Sequence, residues 1–270
     1  MATTQVAAPV RRIETPFGTA AWRALDWDTE QFGIPAARLD LLETSGSYTD
    51  ARAHKRELLT AVLAECREGG IRHLSARVDT GDLATIPALE EAGFELIDGI
   101  QTFLLRIKGN PMPAPSGTRL FEPGDLPEIL EIGRTAFFFD RFHADPALPA
   151  VVADRVNETW TRNCCLGSAA DAVVVAEEEG RVASYVTCQA DSQADRQARN
   201  GIIVLVATAV WARGRGAARR ASAAALHWFA ERGIETVEVG TQLRNIPAAR
   251  LYESLGFRLT RTSLTFRKVL

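Results

Sequence analysis

Apolar residues recur along this chain at two alternating periods. After Asp50, residues Leu58, Leu59, Val62, Leu63 and Cys66 fall three or four apart, the spacing of one helix face, and Gly69-Gly70 stops the run. Residues 71–78 then predict a strand, 83–92 a short helix, and 94–97 and 100–107 a pair of strands. Ahead of them, residues 1–12 read as a loose tail. Residues 15–42, punctuated by Gly18, Gly33 and Pro35, read as short strands and a turn. The pattern restarts with a strand at 118–121 and helices at 125–137 and 150–161. Strands at 172–177 and 182–188 follow, joined at Glu179-Gly180. A polar loop over 189–200 leads to an apolar strand around 202–206. Ala221, Ala224, Ala225, Trp228 and Phe229 then share a helix face. A strand at 234–241, a helix at 246–255 and two closing strands near Leu259 and over 264–268 complete the chain. This order is mixed α/β. Between the halves, residues 109–117 are too rich in proline and glycine for a regular element and predict a linker between domains at 1–108 and 118–270.

The two halves repeat each other. Gly70-Ile71 matches Gly233-Ile234, Glu90 matches Glu253, Gly93-Phe94 matches Gly256-Phe257, and Thr102-Phe103 matches Thr265-Phe266, always 163 positions apart. The differences are more telling. The same offset sets Ala51-Arg52-Ala53-His54 against Gly214-Arg215-Gly216-Ala217, Asp82 against Asn245 and Leu89 against Tyr252. The N-terminal half is expected to keep the scaffold and lack the chemistry.

That chemistry centres on Arg213-Gly214-Arg215-Gly216-Ala217-Ala218, which lies between an apolar strand and a helix. A strand feeding a helix through a glycine loop leaves backbone N–H groups unpaired at the helix start, where the dipole also favours an anion. Glycine at 214 and 216 admits phosphate oxygens close to the backbone, and Arg213 and Arg215 add positive charge. A phosphate-bearing cofactor is the expected guest.

Composition narrows the remaining classes. Of 270 residues 46% are apolar, enough for a packed core, and 31 basic against 34 acidic residues leave a net charge of −3. That balance offers no field for a nucleic acid polymer or an anionic membrane. The first ten residues lack the charged end and long apolar core of a signal peptide, and no apolar run reaches the length of a membrane span, so a cytoplasmic protein is expected. Cys66, Cys164, Cys165 and Cys188 form no metal-binding spacing and read as reduced packing residues; no metal is expected.

The glycine loop resembles the R/Q-x-x-G-x-G/A signature of the GNAT superfamily of N-acetyltransferases, with Ala218 at the position where glycine is preferred. Asn245-Ile246-Pro247-Ala248-Ala249-Arg250-Leu251-Tyr252-Glu253-Ser254-Leu255-Gly256-Phe257 is similar to that family's N-x-x-A-x-x-L-Y-E-x-x-G-F segment. The resemblance covers about residues 118–270. It implies two tandem GNAT-like domains, each a mixed, mostly antiparallel sheet flanked by helices, the N-terminal one degenerate. It also implies acetyl-CoA as cofactor. Within the superfamily, residues 239–245, the Trp228 helix and Arg141-Phe142-His143-Ala144-Asp145-Pro146 resemble bacterial nucleotide-sugar N-acetyltransferases of the dTDP-fucosamine type.

The resemblance further implies residue roles. The loop from Arg213 to Ala218 would cradle the CoA pyrophosphate, and the main chain of Val206, Ala207 and Thr208 would pair with the pantetheine arm. Tyr252 would protonate the departing thiolate, which suits a phenol of ordinary pKa about 10. Asn245, placed to cap its helix, would also bond the CoA arm. The strand at 201–205 holds no carboxylate to act as general base. His143 is the first candidate for that role, with Asp145, Asp191, Asp195 or a water chain as alternatives. Arg141 and His143 are also candidates to contact a nucleotide-sugar diphosphate. Phe137-Phe138-Phe139 and Trp160 would form an acceptor wall, against the plainer reading of core packing. His73 and His227 receive no role. The expected reaction is direct transfer of an acetyl group to the primary amine of a nucleotide-linked amino deoxysugar. A small-molecule amine such as an antibiotic or metabolite, and a non-catalytic acyl-CoA-binding module, stand as alternatives; a homodimer is compatible with the chain.

Overall fold

The computed structural model describes residues 8–109, 113–190 and 199–270. Parts of the expected tail, linker and polar loop, with Asp191 and Asp195, lie outside the described residues. The chain divides into two compact units. The first comprises residues 1–100, 141–152 and 262–270; the second comprises 101–140 and 153–261.

The first repeat runs β1 (Arg11–Thr15), β2 (Gly18–Ala24), α1 (Asp26–Phe32), β3 (Ala36–Thr44), α2 (Tyr48–Glu68), β4 (His73–Asp79), α3 (Thr85–Glu91) and β5 (Glu95–Arg106). After β6 (Thr118–Leu120) and a 3-10 turn at Pro123–Asp125 come α4 (Leu126–Ala136), α5 (Arg141–Ala144) and α6 (Ala150–Cys165). Then follow β7 (Ala172–Glu178), β8 (Arg181–Ala190), β9 (Asn200–Thr208), a 3-10 turn at Val210–Ala212, α7 (Ala217–Glu231), β10 (Thr236–Gln242), α8 (Ile246–Ser254) and β11 (Arg258–Val269). Two helices, α1 and α5, escape the periodicity. α1 carries acidic residues at its start and ends at Gly33 in the left-handed conformation, so its signal is in its caps. The two strand pairs expected at 94–107 and 259–268 are each one continuous strand of 12 residues.

In the first unit the strand order is β1-β2-β3-β4-β11, and α2 covers a core of Trp22, Leu58, Leu59, Val62, Leu74 and Phe266. In the second it is β5-β10-β9-β8-β7-β6. One core there, containing Ala225, Phe229, Val239 and Tyr252, involves α7 and α8. Another, containing Ile129, Cys164, Tyr185 and Leu205, involves α4 and α6.

The units divide the chain differently from a boundary in the linker. The end of β11, Ser263 to Val269, pairs antiparallel with β4 in the first unit, while residues 101–107 belong to the second. The closing strands of the two repeats are thus exchanged. Residues 141–152 also belong to the first unit, although the elements on either side belong to the second.

The internal repeat extends to the backbone. Strand β4 maps onto β10 and β5 onto β11 at the 163-residue offset, end to end. Strand β3 maps onto β9 at 164. Helices α2 and α7 end at equivalent residues, Glu68 and Glu231, but α2 begins more than a turn earlier. What is helix from Tyr48 to Ala53 is the end of a 3-10 turn and a loop from Trp211 to Gly216.

Candidate functional site

Strands β9 and β10 pair in parallel from Asn200↔Thr236 to Ile203↔Val239, and no further pairing between them is recorded among the described residues. The break has a local cause. Opposite β8, Ile203 faces Cys188 and Leu205 faces Thr187, so Val204 is an extra residue, a bulge that bends β9. The Leu205 amide donates to the Thr187 hydroxyl at 2.9 Å. Beyond the bulge β9 stays attached to β8 as far as Thr208↔Ser184.

Alternation along the strand decides what faces the gap. The Ala209 amide donates to the Ala183 carbonyl at 2.9 Å, and the Ala207 carbonyl accepts the Ser184 hydroxyl at 2.7 Å, so these residues turn their main chain toward β8. The amides and carbonyls of Val206 and Thr208 therefore point to the side that β10 has left. Of the three residues expected to meet a pantetheine arm, these two turn main-chain groups to the open side.

The glycine loop follows at the same end of the sheet. Gly214 and Gly216 have φ of 78° and 80°, left-handed values that strain any residue with a Cβ. A Cβ at either would meet nothing within 4 Å, so backbone conformation demands the glycines, a reason beyond the close approach expected for phosphate. Gly216 stands at the N-cap of α7 with no side-chain cap, which leaves the first helical N–H groups open to an anion. The guanidinium of Arg213 lies 5.4 Å from the Phe138 ring centroid. Arg215 lies 3.6 Å and 3.7 Å from the carboxylates of Glu178 and Glu179, so part of the loop's positive charge is balanced within the protein.

Parallel strands end on the same side, so the start of α8 shares this end of the sheet with the loop. The Asn245 side-chain oxygen Oδ1 caps α8 by accepting the Ala248 amide at 3.3 Å, while Nδ2 donates to the Thr241 hydroxyl at 3.0 Å. Tyr252 is buried, its ring edge-on to Phe103 at 5.8 Å and tilted against Phe257 at 5.9 Å. Burial pushes its phenol above the ordinary value, so the group stays protonated through the neutral range. The adjacent Arg244 donates to the Phe139 carbonyl at 3.4 Å. Together with the Arg213–Phe138 contact, this ties the loop after α4 to both motif segments, a link that sequence spacing did not reveal.

The acceptor candidates are placed differently. Arg141 and His143 lie on α5, in the first unit. Arg141 is paired with Asp28 at 3.0 Å and lies over Phe142, which gives its guanidinium a partner inside the protein. Asp145 is buried, accepting from His73 Nε2 at 2.8 Å, Arg267 Nε at 3.0 Å and the Ala147 amide at 2.9 Å. Three donors hold this carboxylate, and His73 gains a structural role. Trp160 is partly buried against the α4/α6 core. Cys164 and Cys165 are pushed up by burial to about 11 and about 12, which keeps both as thiols.

The profile of the acetyltransferase (GNAT) family matches residues 128–257, from the first turn of α4 to Phe257. The chain carries an acetyltransferase domain of the GNAT family. A spore coat polysaccharide biosynthesis protein of Bacillus subtilis is 35% identical over 136 residues, which span 50% of this chain and 45% of that protein. A dTDP-fucosamine acetyltransferase of Escherichia coli is 25% identical over 191 residues, 70% of this chain and 79% of the relative. A tandem GNAT protein from the clavulanic acid biosynthesis pathway superposes with a TM-score of 0.59 at 16% identity, covering 97% of this chain and 83% of its own. The fold is a tandem GNAT fold, as the two motifs and the repeat led one to expect. Among the described residues, no helix is long and apolar enough to cross a membrane.

Proposed function

We propose that the second unit is an acetyl-CoA-dependent N-acetyltransferase whose acceptor is the primary amine of a nucleotide-linked amino deoxysugar. The observation that carries the reading is the parting of β9 and β10 beside an uncapped helix start. An open strand edge suits an amide-bearing arm, and free N–H groups suit a diphosphate. The main chain of Val206 and Thr208 would hold the arm, with Ala207 between them. The loop from Arg213 through Gly214, Arg215, Gly216 and Ala217 to Ala218 would hold the phosphates. The Asn245 amide retains a second hydrogen for the arm.

Acetyl-CoA supplies an activated acyl carbon. An attacking amine forms the C–N bond as the C–S bond breaks, the amine loses a proton to water or a general base, and Tyr252 gives its phenolic proton to the thiolate sulfur. The tyrosinate is then reprotonated from solvent. The amino-sugar acceptor is supported by the names of two relatives, a dTDP-fucosamine acetyltransferase and a spore coat polysaccharide biosynthesis protein.

The test is release of free CoA from acetyl-CoA across a panel of dTDP- and UDP-linked amino sugars, set beside simple amines and amino-bearing antibiotics. Turnover with a nucleotide amino sugar at least tenfold above the small amines supports the reading. Preference for a small amine would move the acceptor class, and tight acetyl-CoA binding without turnover on any amine would leave a binding module.

A further inference from the structure

The first unit repeats the site's scaffold, including its strand separation. β3 and β4 pair in parallel from Ala36↔His73 to Leu39↔Ala76, four rungs as in β9 and β10. A bulge at Asp40, between the partners of Ala21 and Trp22, matches the bulge at Val204. By these registers Leu42 stands where Val206 stands, and Asp82, capping the Thr85 amide at 3.1 Å, stands where Asn245 caps Ala248.

In the first unit this gap is filled from within. Lys55, on α2, is 5% exposed, and its ammonium donates to the Leu42 carbonyl at 2.8 Å, the Asp82 carboxylate at 3.1 Å and the Thr85 hydroxyl at 2.6 Å. Three N–H donors meet three acceptors, which is the full capacity of an ammonium group. The 163-residue offset turns Lys55 into Ala218, Asp82 into Asn245 and Thr85 into Ala248, so the cation, the carboxylate and the hydroxyl are absent together from the second unit. The helix start also differs: the Ser47 hydroxyl accepts the Asp50 amide at 3.3 Å, where Gly216 offers no side chain.

We infer that the first unit holds an ammonium-binding site in the place of the second unit's cofactor cleft, and that Lys55 is its built-in ligand. A partly exposed carboxylate and a carbonyl aimed at one buried ammonium attract a cation and repel the phosphates of a nucleotide cofactor. The degenerate half has therefore not simply lost its ligand; it has replaced an external anion with an internal cation.

The test removes the lysine and offers its head group from solution. Lys55→Ala is expected to melt roughly 10 °C below the wild type, because the Asp82 carboxylate loses its buried partner. Propylammonium chloride is expected to recover several degrees of that loss, and tetramethylammonium chloride at equal ionic strength none, since it has no N–H to donate. Equal effects of the two salts on the variant, or an unchanged melting temperature without either, would overturn the site. If Lys55→Ala does not fold, refolding yield with each salt gives the same comparison. A second arm rests on the cofactor reading of the second unit: titration of the wild type with acetyl-CoA is expected to saturate at one equivalent. Two equivalents would overturn the inference, whereas no binding would sink the cofactor reading and leave the ammonium site to the melting comparison.

Discussion

Phe103 and Phe266 are the same residue of the two repeats, yet Phe103 is buried in the α7/α8 core of the second unit and Phe266 in the α2 core of the first. Each repeat donates its closing strand to the other unit. An internal duplication alone would place both phenylalanines in their own halves. The exchange makes the folding of each unit depend on residues of the other repeat.

Removing residues 262–270 therefore acts on the N-terminal half. The truncation strips Phe266 and Arg267 from the first unit and leaves β4 without its antiparallel partner. Amide exchange in residues 73–79 is expected to lose most of its protection while residues 200–208 stay protected. Phe266→Ala alone is expected to cost about 3–5 kcal/mol in denaturant unfolding. Loss of protection confined to the second unit would refute the exchange.

Gly216→Ala places a Cβ on a residue at φ 80°, with nothing nearby to clash. The expected cost is about 1–2 kcal/mol from the left-handed backbone, relieved if the loop rearranges. Calorimetry should show acetyl-CoA binding weakened about tenfold or more, with the melting temperature moved by only a few degrees. Unaltered affinity would remove the loop from the cofactor site.

Tyr252→Phe keeps the contacts with Phe103 and Phe257 and deletes only the hydroxyl. If the phenol is the acid, kcat falls about a hundredfold or more while KM for acetyl-CoA holds. Since burial raises the phenol above its ordinary value, no activity should be lost to tyrosine ionisation on the alkaline side up to about pH 10. A variant retaining full turnover would show that the proton comes from elsewhere.

Asp145 gives the first unit an acid-sensitive joint. Burial raises its carboxyl, but hydrogen bonds from His73 and the Ala147 amide, with the charge of Arg267, overcome this and hold it below the ordinary 3.8. A depressed folded value means that the carboxylate's stabilisation is complete above about pH 4 and is lost as pH falls through the lower folded value. Asp145→Asn is expected to destabilise the protein by about 3 kcal/mol at pH 7, and the difference from wild type should shrink in acid. A gap that stays constant down to pH 2 would mean that charge is not what holds this segment.

Much of the candidate site was legible because its parts are local. Gly214, Gly216, Asn245 and Tyr252 sit within two short motifs, and the order of helices and strands follows from spacing over a few residues. Asp145 shows the opposite case. Its surroundings suggested a substrate contact, but its partners are 72 and 122 positions away, and no spacing rule reports such pairs. Arg141 likewise pairs with Asp28, 113 positions distant. α1 and α5 were missed because seven and four residues are too few for a helical period to repeat.

By itself the sequence determined the alternation of elements, the duplication and the asymmetry between its copies, since all three are written in residue order. Only the tertiary structure decided which unit receives each closing strand, which main-chain groups face the parted edge of β9, and that Lys55 fills the equivalent gap. Those outcomes depend on bulges, register and contacts across the chain, and hydrophobic spacing is the same whichever strand a segment pairs with.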